Sequence, residues 1–237
     1  MNKDYKDKLP LLQQRRPVGI RHGLLLLEKT NGDIEQAVLL FEEETVCLVV
    51  NKTGVDGELA GRHLIRHNFD IPAALKSIDE ERYSLTERIL KRYKNKEEAL
   101  GKIAYSVVEA ENLPGPYWLD FNSLNKLAPE VYCLLTIYEW VKYEGWEGLS
   151  GAVYFHLDIV AAQIEKQLGM PQLADILLKT RTVHQQQYEQ QKAFLEREGY
   201  CSPTLEFSKQ HELYNLQRPL LIDKLYDFAR KHIERFP

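Results

Sequence analysis

The sequence predicts an all-α protein in which N-terminal three-helix units pack on a C-terminal multi-helix domain. Three observations carry that class. Apolar residues recur at helical spacing through most of the chain. The C-terminal half shows no alternation of apolar and polar residues of the kind a half-buried strand needs. The first part of the chain also matches itself at a fixed offset.

The self-match sets Thr30-Asn31-Gly32-Asp33-Ile34-Glu35-Gln36-Ala37-Val38 against His67-Asn68-Phe69-Asp70-Ile71-Pro72-Ala73-Ala74-Leu75, an offset of 37 residues from Asp33 to Asp70. At the same offset Val18 meets Val55, Leu27 meets Leu64, and Glu43-Glu44 fall on Glu80-Glu81. Each copy reads as a helix running into a turn. Asn31 and Asn68 tolerate the left-handed conformation that closes a helix, and Gly32 adopts it freely. Asp33 and Asp70 then stand as N-caps, their carboxylates accepting backbone N–H groups that the next helix leaves open. Pro72 falls in the first turn of that helix, where its missing N–H costs nothing. Ile34, Ala37, Val38 and Phe41 share one helical face, as do Ile71, Ala74, Leu75 and Ile78. A third helix is expected after each copy, over Glu43 to Val50 and over Leu85 to Tyr93.

On these residues, "TNGDIEQAV" and "HNFDIPAAL", the region 16–93 resembles tandem ubiquitin-associated (UBA-like) three-helix units. That family includes the N-terminal domain of elongation factor Ts and the tail of the nascent-polypeptide-associated complex. The resemblance implies a small protein-docking module. Ubiquitin-binding members carry a Met-Gly-Phe/Tyr loop, which neither Thr30-Asn31-Gly32 nor His67-Asn68-Phe69 reproduces.

Residues 94–111 read as a connecting helix, apolar on more than one face and so expected to be covered on both sides. It ends at Pro114-Gly115-Pro116, a string that cannot continue a helix and marks the expected domain boundary. Beyond it, helical patterns run over Asn122 to Tyr143 (with Pro129 as start or break), Leu149 to Leu168, Leu173 to Glu198 before Gly199, and Glu212 to Phe236, interrupted by Pro219. Residues 112–237 resemble an uncharacterised bacterial all-helical family that contains a DNA-mimic protein. The likeness rests on Glu139, Gly145 with Gly148, Tyr154-Phe155, the joint from Gly169 to Ala174, and Leu213, Tyr214, Leu216, Leu225 and Tyr226. That family's Asn-Gly-Gly-aromatic turn is replaced here by Glu144-Gly145-Trp146-Glu147-Gly148-Leu149.

Composition narrows the function. The 237 residues are 44% apolar and 28% charged with a net charge of −4, which removes the basic footprint of a direct nucleic-acid binder. The same modest charge argues against a duplex mimic unless it is segregated. Met1 to Arg16 lacks the apolar core of a secretory signal, and no apolar run approaches the ~20 residues of a membrane span. Cys47, Cys133 and Cys201 are far apart and odd in number, which favours reduced thiols and a cytoplasmic location.

No dinucleotide fingerprint, Walker loop or nucleophile elbow is present, so no cofactor is expected. His63 and His67 have zinc-like spacing, but Leu64 stands where a catalytic glutamate would be and no third ligand is evident; no metal is expected. The densest cluster of functional residue types is Glu139, Trp140, Tyr143, Glu144, Trp146, Glu147 and His156. Aromatics and carboxylates of this kind serve protein contact surfaces, and they also build packed helix elbows. The leading reading is a non-enzymatic protein-interaction module with a protein partner, no membrane, and room for a homodimer. An alternative is a small-ligand or hydrolase-like enzyme using Glu139, Glu144 and His156 for acid–base work. A second is an acidic DNA-mimic regulator.

Overall fold

The computed structural model describes residues 5–114, 120–199 and 203–237. Its α-helices are α1 (Leu9–Arg15), α2 (Ile20–Lys29), α3 (Ile34–Thr53), α4 (Gly57–Arg66), α5 (Ile71–Arg82), α6 (Leu85–Arg92), α7 (Lys96–Ala110), α8 (Pro129–Ala152), α9 (Leu157–Lys166), α10 (Pro171–Glu198) and α11 (Leu205–Lys231). No strand occurs among the described residues, as the all-α class requires. No described helix is long and apolar enough to cross a membrane. The chain divides into two compact units, Met1–Ser84 and Leu85–Pro237.

In the first unit, the turns α2–α3 and α4–α5 have the same construction. Asn31 and Asn68 both sit at left-handed φ, 52° and 49°. The next N–H reaches back to the preceding helix: Gly32 N–H to the Leu27 carbonyl at 2.7 Å, Phe69 N–H to the Leu64 carbonyl at 2.6 Å. Asp33 then accepts from Gln36 N–H and Asp70 from Ala73 N–H, each at 3.1 Å. Both caps thus close donors that a helix start leaves open. The core of this unit gathers Leu12, Leu26, Leu27, Phe41, Val49, Leu64, Phe69 and Ile78.

The separate third helix expected over Glu43 to Val50 does not exist: α3 runs unbroken for 20 residues. Nothing between Glu42 and Val50 interrupts a helix. Val38, Phe41, Thr45 and Val49 are all buried, at a spacing that continues one stripe along the helix. The other expected third helix, over Leu85 to Tyr93, forms as α6 but belongs to the second unit.

The second unit holds α6 to α11 around one core that includes Leu100, Ile103, Leu134, Trp140, Val160, Leu177, Tyr214 and Leu225. The segment read as a connector, α7, buries Ala99, Leu100, Ile103, Ala104, Val107 and Val108. Its neighbour α6 is tied in by Thr86 N–H donating to the Pro237 carbonyl at 2.7 Å. The chain therefore divides ahead of α6, not at Pro114-Gly115-Pro116, of which Gly115 and Pro116 lie outside the described residues. Pro129 is the first residue of α8, the position where proline is pre-organised for a helix.

Two expected boundaries move. The pattern over Leu149 to Leu168 is broken: α8 ends at Ala152, and α9 begins only after His156, which has a left-handed φ of 49°. α8 is itself kinked at Gly148, whose φ of 74° and ψ of 169° suit a residue without Cβ. Conversely, Pro219 does not end its helix, because α11 continues through it. The proline lies on the exposed side, where solvent can take the freed Asn215 carbonyl, while Tyr214, Leu221, Ile222 and Leu225 hold both halves in the core.

Candidate functional site

The seven clustered residues separate by depth. Trp140 is fully buried; its indole N–H donates to the Ala152 carbonyl at 2.9 Å, and its ring meets Tyr214 edge-on with centroids 6.0 Å apart. Trp140 is therefore a core residue that closes the C-terminal end of α8, not part of a contact surface. Glu139 is also buried, at 4% exposure, with Lys142 Nζ 3.4 Å from its carboxylate. Nearer the surface, Tyr143 stacks on Phe155 at 4.3 Å and meets Trp146 edge-on at 6.4 Å. Trp146 is 72% exposed, and Glu147 is exposed beside it. His156 lies exposed against Phe121, ring on ring at 4.6 Å.

The three acid–base candidates take partners on different elements. Glu139 pairs within α8, Glu144 with Arg218 of α11, and His156 with the Phe121 ring.

Arg218 escaped the sequence reading, and it organises a charged network that joins three helices of this unit. Its guanidinium donates to Glu144 at 3.1 Å and to both Glu97 oxygens at 2.9 and 3.2 Å, joining α11, α8 and α7. These bonds, the Glu97 pair foremost, hold the guanidinium pKa above its ordinary value. Burial, with the Glu144 charge beside it, raises the Tyr214 phenol likewise. Proton transfer from either group near neutrality is thereby disfavoured, and the network clamps three helices. The only sequence signal was an arginine next to a proline inside an apolar helical pattern.

A second polar group lies around α10. Tyr154 hydroxyl and His184 Nδ1 are 2.9 Å apart, and Arg181 makes two hydrogen bonds to Asp158, at 2.7 and 2.9 Å. Burial lowers the His184 pKa, and the Arg181 hydrogen bond lowers that of Asp158. Cys133 is buried, which pushes its thiol up to about 12 and makes it unreactive. Cys47 is an exposed thiol, and Cys201 lies outside the described residues.

His63 turns to ordinary partners, Ser77 Oγ at 2.9 Å and Glu81 at 2.9 Å, instead of sharing a ligand with His67. Among the described residues no group of three or more His, Cys, Asp or Glu is placed to hold a metal ion. A crevice of about 370 Å³ lies between α7 and α8, with Glu98, Lys102, Tyr138, Glu139 and Lys142 among its walls.

No solved structure matches this chain. An uncharacterized protein, YfbN of Escherichia coli (strain K12), is 33% identical over 178 residues, covering 75% of this chain and 74% of the relative. Residues 84–234 match the family described as the YfbN C-terminal domain. This match begins one residue ahead of the second compact unit, so it takes in α6 and α7 as well as the helices that follow them. A compact all-helical unit spanning the matched residues, together with a relative aligned over three quarters of the sequence, establishes that the chain belongs to the YfbN family.

Proposed function

We propose that the protein is a non-enzymatic protein-interaction module. The observation that carries this reading is a stripe of leucines on α11. Leu205, Leu213, Leu216 and Leu220 are all exposed, Leu205 and Leu216 to 75%. At 100° per residue they fall on one side of the helix. Isolated surface leucines need no explanation, but several gathered on one side of a helix, here around Lys209, are of the kind that marks a contact site. Trp146, with Tyr143 beneath it, offers a second anchor of the type enriched at such sites.

We read residues 16–93 as tandem UBA-like units in the same service, each keeping the first two helices of the family's three. The support is the matched pair of turns, with the same capping aspartate and the same left-handed asparagine at an offset of 37 residues. The free thiols of Cys47 and Cys133 fit a cytoplasmic protein.

Affinity purification of the full chain from its native host, run in parallel with Leu216→Lys and Trp146→Ala, tests the module. The expected result is a partner retained by the wild type and lost from at least one variant whose circular dichroism and melting are unchanged. If both folded variants retain the same proteins as the wild type, neither patch is the contact surface and the reading fails.

A further inference from the structure

Four exposed residues of α11 form a seam. Leu205, Lys209, Glu212 and Leu216 follow one another at intervals of four, three and four residues, the spacing that keeps side chains on the line between two paired helices. At 100° per residue they fall within about 60° of one another. Phe207, Gln210 and Tyr214 hold the opposite side of the same turns in the core, so the seam faces outward. Leu205 and Leu216, each at 75%, are the most exposed large apolar side chains among the described residues.

The two charges of the seam are open. Lys209 and Glu212 are both exposed, and neither side chain makes a hydrogen bond or ion pair with another described residue. Glu206, one turn ahead of Lys209, is already held by Gln210 at 3.1 Å and Lys179 at 3.6 Å.

The order Leu205, Lys209, Glu212, Leu216 is its own complement when reversed. Its midpoint falls between Lys209 and Glu212, with the two charges equally far from it and the two leucines equally far beyond them. In an antiparallel pair of such helices, Lys209 stands level with Glu212 of a second copy, and Leu205 with its Leu216; the two-fold axis repeats each contact. A parallel pair in register sets lysine against lysine and glutamate against glutamate, which repel. The charge order therefore selects both the occupant and its direction.

We infer that α11 pairs antiparallel with α11 of a second copy of this chain, about a two-fold axis between Lys209 and Glu212. The inference rests on the interaction reading and names the partner of α11. The leucine pairs leave water together, and the two Lys–Glu pairs fix direction and register.

The test is sedimentation velocity of the full chain from about 1 to 500 μM. A concentration-dependent dimer is expected. Lys209→Glu and Glu212→Lys should each weaken it by about tenfold or more, because four like charges then meet at the axis. Mixing the two single variants restores association, and so does the double variant Lys209→Glu/Glu212→Lys, since each brings opposite charges together again. Both positions are exposed, so circular dichroism should match the wild type. The inference is overturned if the wild type stays monomeric throughout, if either single variant dimerises as tightly as the wild type, or if the mixture associates no better than its components. A monomeric wild type whose host protein is still lost on Leu216→Lys overturns this inference alone and leaves the interaction reading standing.

Discussion

The turns α2–α3 and α4–α5 follow one backbone plan and fill it in opposite ways. In the first, the residue after the asparagine is Gly32, at φ 80°; in the second it is Phe69, at φ 61°. Gly32 is roofed by another element. Lys8 Nζ donates to its carbonyl at 2.7 Å, and a Cβ there would come within 2.5 Å of the Tyr5 ring. Phe69 supplies its own roof. Its ring is 6% exposed, packs 6.2 Å from Phe41, and carries the Arg16 guanidinium 4.7 Å above it. A left-handed position thus calls for glycine where a neighbour must lie against the backbone. It accepts a strained aromatic where burial of that ring outweighs the strain.

The largest expected effect removes the second solution. Phe69→Ala keeps the unfavourable φ and deletes the ring, so urea unfolding read by hydrogen exchange in α2 to α5 should show a loss of about 3–5 kcal/mol. A smaller effect tests the first solution. Gly32→Ala should cost about 1–2 kcal/mol of backbone strain plus whatever displacing Tyr5 adds. In a double-mutant cycle with Tyr5→Ala, the second part should vanish and the strain should remain. Additive single-variant costs would mean that the tyrosine does not constrain that turn.

Smaller again, and equal at both turns, is the cap. Asp33→Ala and Asp70→Ala should each lose about 1 kcal/mol, since the two bonds have the same length. Clearly unequal losses would break the equivalence of the turns.

The smallest effect concerns the carboxylates that tie each second helix back to its predecessor. Glu44 reaches Lys29 at 2.7 Å and His22 at 2.8 Å; Glu81 reaches Arg62 at 2.7 Å and His63 at 2.9 Å. The Lys29 hydrogen bond, then that of His22, lowers the Glu44 pKa. A depressed carboxylate pKa contributes stability above the unfolded-state value that is lost as pH falls through the folded one. Glu44→Gln should therefore flatten the acid limb of the unfolding midpoint against pH, by a small amount because the pair is partly exposed. An unchanged acid limb would show that this tie contributes nothing.

Much of the fold was legible because its signals are local. Asp33 and Asp70 cap within three residues, Asn31 and Asn68 bend the chain on their own, and Pro72 sits in the first turn of α5 where its ring fits. None of these depends on a distant partner. The candidate site was legible only as residue types near one bend. Glu139, Trp140, Tyr143, Glu144 and Trp146 are close in sequence, yet their depths range from fully buried Trp140 to Trp146 at 72% exposure. Position along a helix fixes a direction but not what stands there. Arg218 lies 74 residues from Glu144 and 121 from Glu97, so no spacing rule joins them.

By itself, then, the sequence determined the helical class, the two matched turns with their capping aspartates, and the helix start marked by Pro72, while at Pro129 it left a start and a break both open. Only the tertiary structure decided that α3 is one helix, that α8 stops at Ala152, and that α11 runs through Pro219. The reason is the same each time. A continuous buried stripe rewards extending α3, the Trp140 indole 12 residues back along α8 takes that helix's last carbonyl, and buried Leu221 and Leu225 hold α11 in the core past a missing hydrogen bond. Local capping energies of about 1 kcal/mol set boundaries wherever nothing larger opposes them. Burial of several large side chains, at roughly 1.5–3 kcal/mol each, overrules them where the rest of the chain supplies the partners.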